Sequence, residues 1–259
     1  VTDGDRGAAA PFRSGVVRGT MLVAQPALHD ALAQRLLAHD SLYAWAESEP
    51  QPRALQGRAV VYVATLPECH VTMAVRHAWH GGVFAPLTGD RFLVPTRAPR
   101  EAAASLALEA RGIDTPEVLA YALYPAGPGL RRVDVCTRFV PDSWDFGAVL
   151  AGLAPRIERG AAERAVLDLL VRLARAGVVH PDLNVKNILL VPDGGSGAPR
   201  AWLLDVDVVQ FRSAPTPQLM HRNVGRLVRS IRKWHRRHDL PLDDAWLTGF
   251  VSSALGALP

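Results

Sequence analysis

Apolar positions recur along the chain with two different periods. Between residues 26 and 39, Leu28, Leu32, Leu36 and Leu37 fall at helical spacing and predict a helix. Residues 44–56 are polar and proline-containing and predict a loop. Two β-type runs follow, 59–64 and 71–75, separated by Leu66-Pro67-Glu68, which predicts a hairpin. Residues 100–111 are rich in Ala, Leu and Glu and predict a helix ended by Gly112. A strand over 131–140 is closed by Pro141. In the second half, Val166, Leu169, Leu170 and Leu173 form one face of an amphipathic helix over 163–176, and Gly177 stops it. Strands are predicted at 188–191 and 201–204, on either side of the turn sequence PDGGSGAP, and a long basic helix at 218–237. Strands cluster early and helices late, with a break near Pro141 to Trp144. The expected fold class is therefore α+β. The expected division is a mobile, Gly/Ala-rich segment at 1–20, a strand-rich part at 21–140 with an extra N-terminal helix, and a helical part at 141–259.

Composition adds bounds to this picture. At 259 residues, 49% hydrophobic and 21% charged, the chain can bury a sizeable core and is not a disordered one. No apolar stretch reaches the roughly 18–20 residues of a membrane span. The opening VTDGDRGAAAPF lacks a charged-then-apolar signal pattern, so the expected location is cytoplasmic or on a membrane surface. Cys69 and Cys136 make neither a metal-ligand spacing nor a disulfide framework and are expected as buried thiols. A formal charge of +4 suits a nucleotide or an anionic surface as partner, and is too small to point to nucleic acid.

The most informative stretch is HPDLNVKNILL, where His180, Asp182 and Asn187 form H-x-D-x-x-x-x-N, in residue type and spacing a kinase catalytic loop. The chemistry accounts for the residue types. A carboxylate at Asp182 can accept or orient the proton of an attacking hydroxyl. An amide oxygen at Asn187 can turn back to ligate Mg²⁺, a hard cation that takes oxygen ligands. The two predicted strands then form a hairpin that returns Asp205, in LLDVD, to the side of Asn187 as a second metal ligand. Asp207 is either a further acidic ligand or a surface charge. His180 is expected to pack and hold the loop, not to accept a proton.

A kinase also needs a nucleotide end. Gly57, in Gly57-Arg58-Ala59, sits where a phosphate loop belongs, although one glycine is a sparse version of it. Arg76, at the end of VTMAVR, stands where most kinases carry Lys and can fork onto two phosphate oxygens. Glu101, in the first turn of the Ala-rich helix, is its expected ion-pair partner. A first-turn Glu is also favoured by the helix dipole alone.

Five stretches together carry a family resemblance: RHAWHGG with Arg76-His77 and Gly81-Gly82, Asp90-Arg91-Phe92, TRAPRE leading to Gly112 and Pro116, HPDLNVKNILL with LLDVD, and NVGRLVRSIRK. In this order, over about residues 57–235, the chain resembles the lipopolysaccharide kinase family, and within it the kinases of Kdo (3-deoxy-D-manno-octulosonic acid). The resemblance implies a two-lobed, protein-kinase-like fold and ATP- and Mg²⁺-dependent phosphorylation of a sugar hydroxyl on Kdo-lipid A at the cytoplasmic face of the inner membrane. It carries Asp182 over as catalytic base, Asn187 and Asp205 as metal ligands, and Arg76 with Glu101 as the nucleotide-positioning pair. The chain departs from the family pattern in its sparse phosphate loop, at His80, and in Asp205-Val206-Asp207.

Two other readings share the catalytic loop. Small-molecule kinases resembling aminoglycoside or choline phosphotransferases have it but lack the Arg-His…Gly-Gly stretch. A non-catalytic pseudokinase module would fit the sparse phosphate loop and not the intact Asp182, Asn187 and Asp205. The basic residues between Arg222 and Arg237 are either a solvated helix face or a peripheral contact with an anionic membrane.

Overall fold

The computed structural model describes residues 11–50, 52–55, 60–79, 89–192, 198–214, 216–238, 240 and 242–257. Gly57, His80, Gly81 and Gly82 lie outside the described residues. By their contacts the residues form two compact units, Val1–Pro99 with Glu117–Phe139, and Arg100–Pro116 with Val140–Pro259.

The first unit is built on an antiparallel sheet. In chain order it has β1 (Arg13–Val17), β2 (Thr20–Ala24), α1 (Pro26–Ala38), α2 (Leu42–Glu47), β3 (Arg53–Leu55), β4 (Val61–Leu66), β5 (Val71–His77) and β6 (Phe92–Leu93). After α3 (Ala98–Glu109) come β7 (Val118–Pro125) and β8 (Leu130–Arg138). The strand order is β1-β2-β7-β8-β5-β4-β3, with β6 paired to β8. Three of the four leucines that predicted α1 do what their spacing implies: Leu28, Leu32 and Leu36 are buried in one cluster with Leu22, Met73 and Val75, while Leu37 is exposed. The β4–β5 hairpin closes through a short 3₁₀ turn, Pro67–Cys69. Two expectations change here. Residues 13–20, expected to belong to a mobile N-terminus, form with 21–24 the β1–β2 hairpin. The start of the segment read as loop, 44–47, belongs to α2, whose first turn is capped by Ser41 Oγ accepting from Ala44 N at 2.9 Å.

The second unit contains α4 (Phe146–Leu150), α5 (Arg159–Arg175), α6 (Pro217–His238) and α7 (Asp244–Gly256). It also has three small strand pairings. β11 (Ile188–Pro192) lies between β12 (Pro199–Leu203) and β9 (Trp144–Asp145), and β10 (Val178–Val179) pairs with β13 (Gln210–Phe211). Its core is one cluster joining Leu169, Leu170 and Leu173 of α5 to Ile188 and Leu203 of the hairpin and Leu227 and Ile231 of α6. Residues 100–116 group with this unit, not with the strand-rich one in which the sequence placed them. Ala104, Leu108 and Ile113 are buried in this core, and Asp114 is held by Arg172 at 3.0 Å and Arg200 at 2.8 Å. Among the described residues no helix is long and apolar enough to cross a membrane.

Candidate active site

The catalytic-loop sequence is delivered by α5. Gly177 ends that helix at φ +69°, where a Cβ would lie 2.6 Å from the Arg212 carbonyl, so a side chain is excluded on two counts. The same glycine's carbonyl accepts from Arg212 N at 2.8 Å, next to the β10–β13 pairing, and sets the chain on course for His180.

Residues 180–187 then make a compact turn. Leu183 N donates to the His180 carbonyl at 3.1 Å, and Asn187 N to the Asn184 carbonyl at 3.0 Å. Asn187, itself buried, donates its side-chain Nδ2 to the Asp182 carbonyl at 3.0 Å. That bond fixes the amide plane and leaves Oδ1 as the atom that can meet a cation. Asn184 donates to the same carbonyl at 3.0 Å. The Asp182 backbone is thus held by two side chains while its carboxylate is exposed. In the following hairpin Ile188 pairs with Leu203, and Leu204 N donates to the Asn187 carbonyl at 2.9 Å. Asp205 comes directly after, exposed and left-handed at φ +53°, a conformation that Asp tolerates better than most residues. Asp182, Asn187 and Asp205, predicted together, are therefore brought together by one turn and one hairpin.

His180 is fully buried and acts as a strut. Its Nε2 faces the Leu204 carbonyl at 3.1 Å, linking the loop to the residue before Asp205. Burial pushes the imidazole pKa below its usual value, against the opposing pull of the Leu204 carbonyl and of Asp205 and Asp182. The ring is neutral, and its Nδ1 is buried without a hydrogen-bond partner among the described residues.

Two positions that the residue patterns did not assign a role complete the loop's support, and both lie on α6. Asn223, wholly buried, accepts from His180 N through Oδ1 at 3.0 Å and donates through Nδ2 to the Val178 carbonyl at 2.9 Å. Seven residues on, Ser230 Oγ accepts from Val185 N at 3.2 Å. Seven residues are almost two full turns, so both side chains leave the same face. The available signal was a polar residue amid the buried positions Met220, Val224, Leu227 and Ile231. Asp145 supplies a further tie, capping α4 at Ala148 N (3.0 Å) and pairing with Lys186 Nζ (2.9 Å). The face of α6 opposite its buried apolar positions carries Arg222, Arg226, Arg229, Lys233, Arg236 and Arg237, all exposed and within about 100° of arc.

Arg76 lies on β5 in the first unit, where it pairs with Val135 of β8 and is half-buried. Glu101 lies in the first turn of α3 and is buried, at 6% exposure.

Comparison with known proteins places this arrangement. The model of the lipopolysaccharide kinase (Kdo/WaaP) family matches residues 44–246. A 3-deoxy-D-manno-octulosonic acid kinase of Xanthomonas euvesicatoria pv. vesicatoria is 31% identical over 230 residues, covering 87% of this chain and 85% of that protein. One of Actinobacillus succinogenes is 30% identical over 183 residues, covering 69% and 73%. A solved structure described as WaaP in complex with acyl carrier protein aligns at a TM-score of 0.46 and 17% identity, over 86% of this chain and 95% of that one. With its family model matched over most of its length and 31% of its aligned residues identical to such a relative, this chain belongs to the lipopolysaccharide kinase (Kdo/WaaP) family and is a phosphotransferase of protein-kinase-like fold.

Proposed function

We propose that this kinase transfers the γ-phosphoryl group of ATP to a hydroxyl of the lipopolysaccharide inner core, with a Kdo sugar on lipid A as acceptor. The observation that carries the reading is the exposed Asp182 carboxylate on a backbone held by Asn184 and Asn187, beside the hairpin that presents Asp205. In the transfer, the acceptor oxygen bonds to the γ-phosphorus as the bond to ADP breaks. The hydroxyl proton passes to Asp182, whose exposure gives an acceptor access to it.

Asn187 Oδ1 and the Asp205 carboxylate fit Mg²⁺ as hard oxygen donors. One carboxylate and one amide suit this ion, which fills its remaining positions with phosphate oxygens and water. When bound, it supplies charge neutralisation of the polyphosphate. Arg76 and Glu101 are the residues proposed to position the nucleotide. The family names of the relatives support the Kdo acceptor. The basic face of α6 supports a reversible electrostatic contact with anionic headgroups, where such an acceptor is embedded.

The test is transfer of labelled phosphate from ATP to Kdo-lipid A in the presence of Mg²⁺, read by mass spectrometry. Wild type should phosphorylate the lipid, and Asp182→Ala should lose about 10²- to 10⁴-fold in rate while still binding ATP. Transfer only to small soluble alcohols, or an Asp182→Ala enzyme with full rate, would refute the proposal.

A further inference from the structure

His77 and Asp90 belong to two of the stretches that carry the family resemblance, yet neither takes part in the chemistry above. The structure joins them. His77 Nε2 lies 3.0 Å from Asp90 Oδ2, and His77 Nδ1 lies 2.6 Å from Asp134 Oδ1. His77 and Asp134 are direct cross-strand partners on β5 and β8. Asp134 is fully buried, and its second oxygen accepts from Tyr124 Oη at 2.7 Å and from Tyr43 N at 2.9 Å. Tyr124 Oη in turn accepts from Leu42 N at 2.9 Å. The network therefore fastens the first turn of α2, strands β5, β7 and β8, and Asp90 to one imidazole.

Both ring nitrogens face carboxylate oxygens. A neutral imidazole has one N–H and would turn a lone pair on one of them, whereas an imidazolium satisfies both. The two donors on Oδ2 of the buried Asp134 satisfy that oxygen without neutralising its charge, which a cation on Oδ1 does. Arg76 is adjacent in sequence, but alternation sends its side chain to the other face of β5. The ring contacts that the described residues make with His77 are aromatic and uncharged. Tyr43 of α2 has its ring centroid 5.7 Å away, and Trp79 meets the ring edge-on at 5.2 Å. Behind Tyr43, Tyr62 donates to Glu47 at 2.8 Å. Burial pushes the phenol of Tyr124 and the thiol of Cys136 up, so both stay neutral.

We propose that His77 is a positioning residue of this kinase: an imidazolium shared by Asp134 and Asp90 that holds the end of β5, and with it Arg76, in the arrangement that meets the nucleotide. The proposal rests on the reading of Arg76 as a nucleotide contact. Burial disfavours the charged ring, but the two carboxylates outweigh it and the net pKa lies above the ordinary value. The sign follows. A raised pKa means the stabilisation is complete below the ordinary value of 6.5 and is lost as pH rises through the folded one. On losing its proton, the ring keeps Nδ1–H on Asp134, the shorter contact to the more deeply buried acid. Its bare Nε2 then faces Asp90 Oδ2, and Asp90, at 23% side-chain exposure, moves off into water.

The experiment titrates the intact chain. His77 is followed by its imidazole ¹³Cε1 resonance, and the Kd of Mg²⁺·ATP is measured by calorimetry across the same pH range. His77 should titrate above the ordinary histidine value, and the Kd should rise by up to about tenfold per pH unit through the same midpoint. Asp90→Asn, at a part-exposed site, should lower both midpoints together. A His77 that titrates at or below the ordinary value, or is unmoved by Asp90→Asn, overturns the shared imidazolium. A Kd independent of pH overturns the positioning role. ATP binding absent at every pH would instead overturn the kinase reading, and the resonance would still decide the state of His77.

Discussion

Asn223 gives the sharpest test of how the catalytic loop is held. Its side chain is fully buried and makes two hydrogen bonds, to His180 N at 3.0 Å and to the Val178 carbonyl at 2.9 Å. Asn223→Leu keeps the branched side-chain skeleton, in a larger volume, and removes both. The two backbone groups are then left buried without a partner, at about 1–3 kcal/mol each. The expected loss is about 2–6 kcal/mol, a large share of the roughly 5–15 kcal/mol by which domains are stable. Asn223→Asp is the finer probe. It keeps an acceptor for His180 N but sets a carboxylate oxygen against the Val178 carbonyl, so it should also destabilise. Ser230→Ala removes one acceptor, for Val185 N at 3.2 Å, and should cost about 1 kcal/mol. Urea unfolding measures all three, as a fall in midpoint at unchanged slope. Turnover should fall more than stability implies. Asp182 lies between the two clamped points, and a shift of about 1 Å in a reacting group can cost on the order of 10²-fold. An Asn223→Leu protein within about 0.5 kcal/mol and twofold in turnover of wild type would refute the clamp.

Three further outcomes follow from the proposed site. Asp205→Asn should weaken Mg²⁺·ATP binding and shift its Mg²⁺ dependence to higher concentration, since it removes a negative ligand; an unchanged dependence counts against Asp205 as a ligand. Arg76→Ala and Glu101→Ala should each raise the ATP requirement, with the double variant little worse than either single, because groups that act as a pair are non-additive; strictly additive losses would separate them. Changing Arg226, Arg229 and Lys233 together to Gln should reduce co-sedimentation with anionic vesicles by about 10²-fold at low salt, at about 1 kcal/mol per charge, and high salt should release the wild type; binding indifferent to both would exclude the α6 face as the contact.

Local signals carried the catalytic loop and its hairpin into the sequence reading. A helix stop at Gly177, a fixed spacing from Asp182 to Asn187 and a short turn are all encoded within thirty or so residues of chain, and the fold adds only the pairing of Ile188 with Leu203. Elements whose pattern is not local, or not periodic, were missed. β7, VLAYALYP, is buried at every position but the last, so it shows none of the alternation that marks a half-exposed strand. α7 is apolar almost all round and has little helical stripe to detect, although Asp243 caps it by accepting from Trp246 N at 2.6 Å. α2 was hidden by the prolines that follow it at 50 and 52. Residues 100–116 carried a clear helix, but a helix's own sequence does not say which unit its apolar side will enter. Asn223 was visible only as a polar residue on an apolar face, a signal that states that a buried hydrogen bond exists and not with what.

The two motif histidines show why residue type and spacing stop short of chemistry. Both are largely withdrawn from water, His180 completely and His77 with 11% of its side chain exposed. Burial acts on both in the same direction, against the charged ring. What separates them is the kind of acceptor each nitrogen finds. His180 has one backbone carbonyl on Nε2 and nothing among the described residues on Nδ1, and the exposed carboxylates of Asp182 and Asp205 offset its desolvation only in part. It stays neutral, so the loop it supports does not change with pH near neutrality on its account. His77 has a carboxylate on each nitrogen, one of them fully buried and unable to recruit water, and there the electrostatic gain exceeds the desolvation cost. Asp134 and Asp90 are 57 and 13 residues from His77 along the chain. The charge of His77 is thus a property of the tertiary pairing of β5 with β8, fixed only once the sheet has formed. Through the end of β5, the protonation state of His77 is proposed to set the position of Arg76, while the histidine inside the catalytic motif serves as a neutral support.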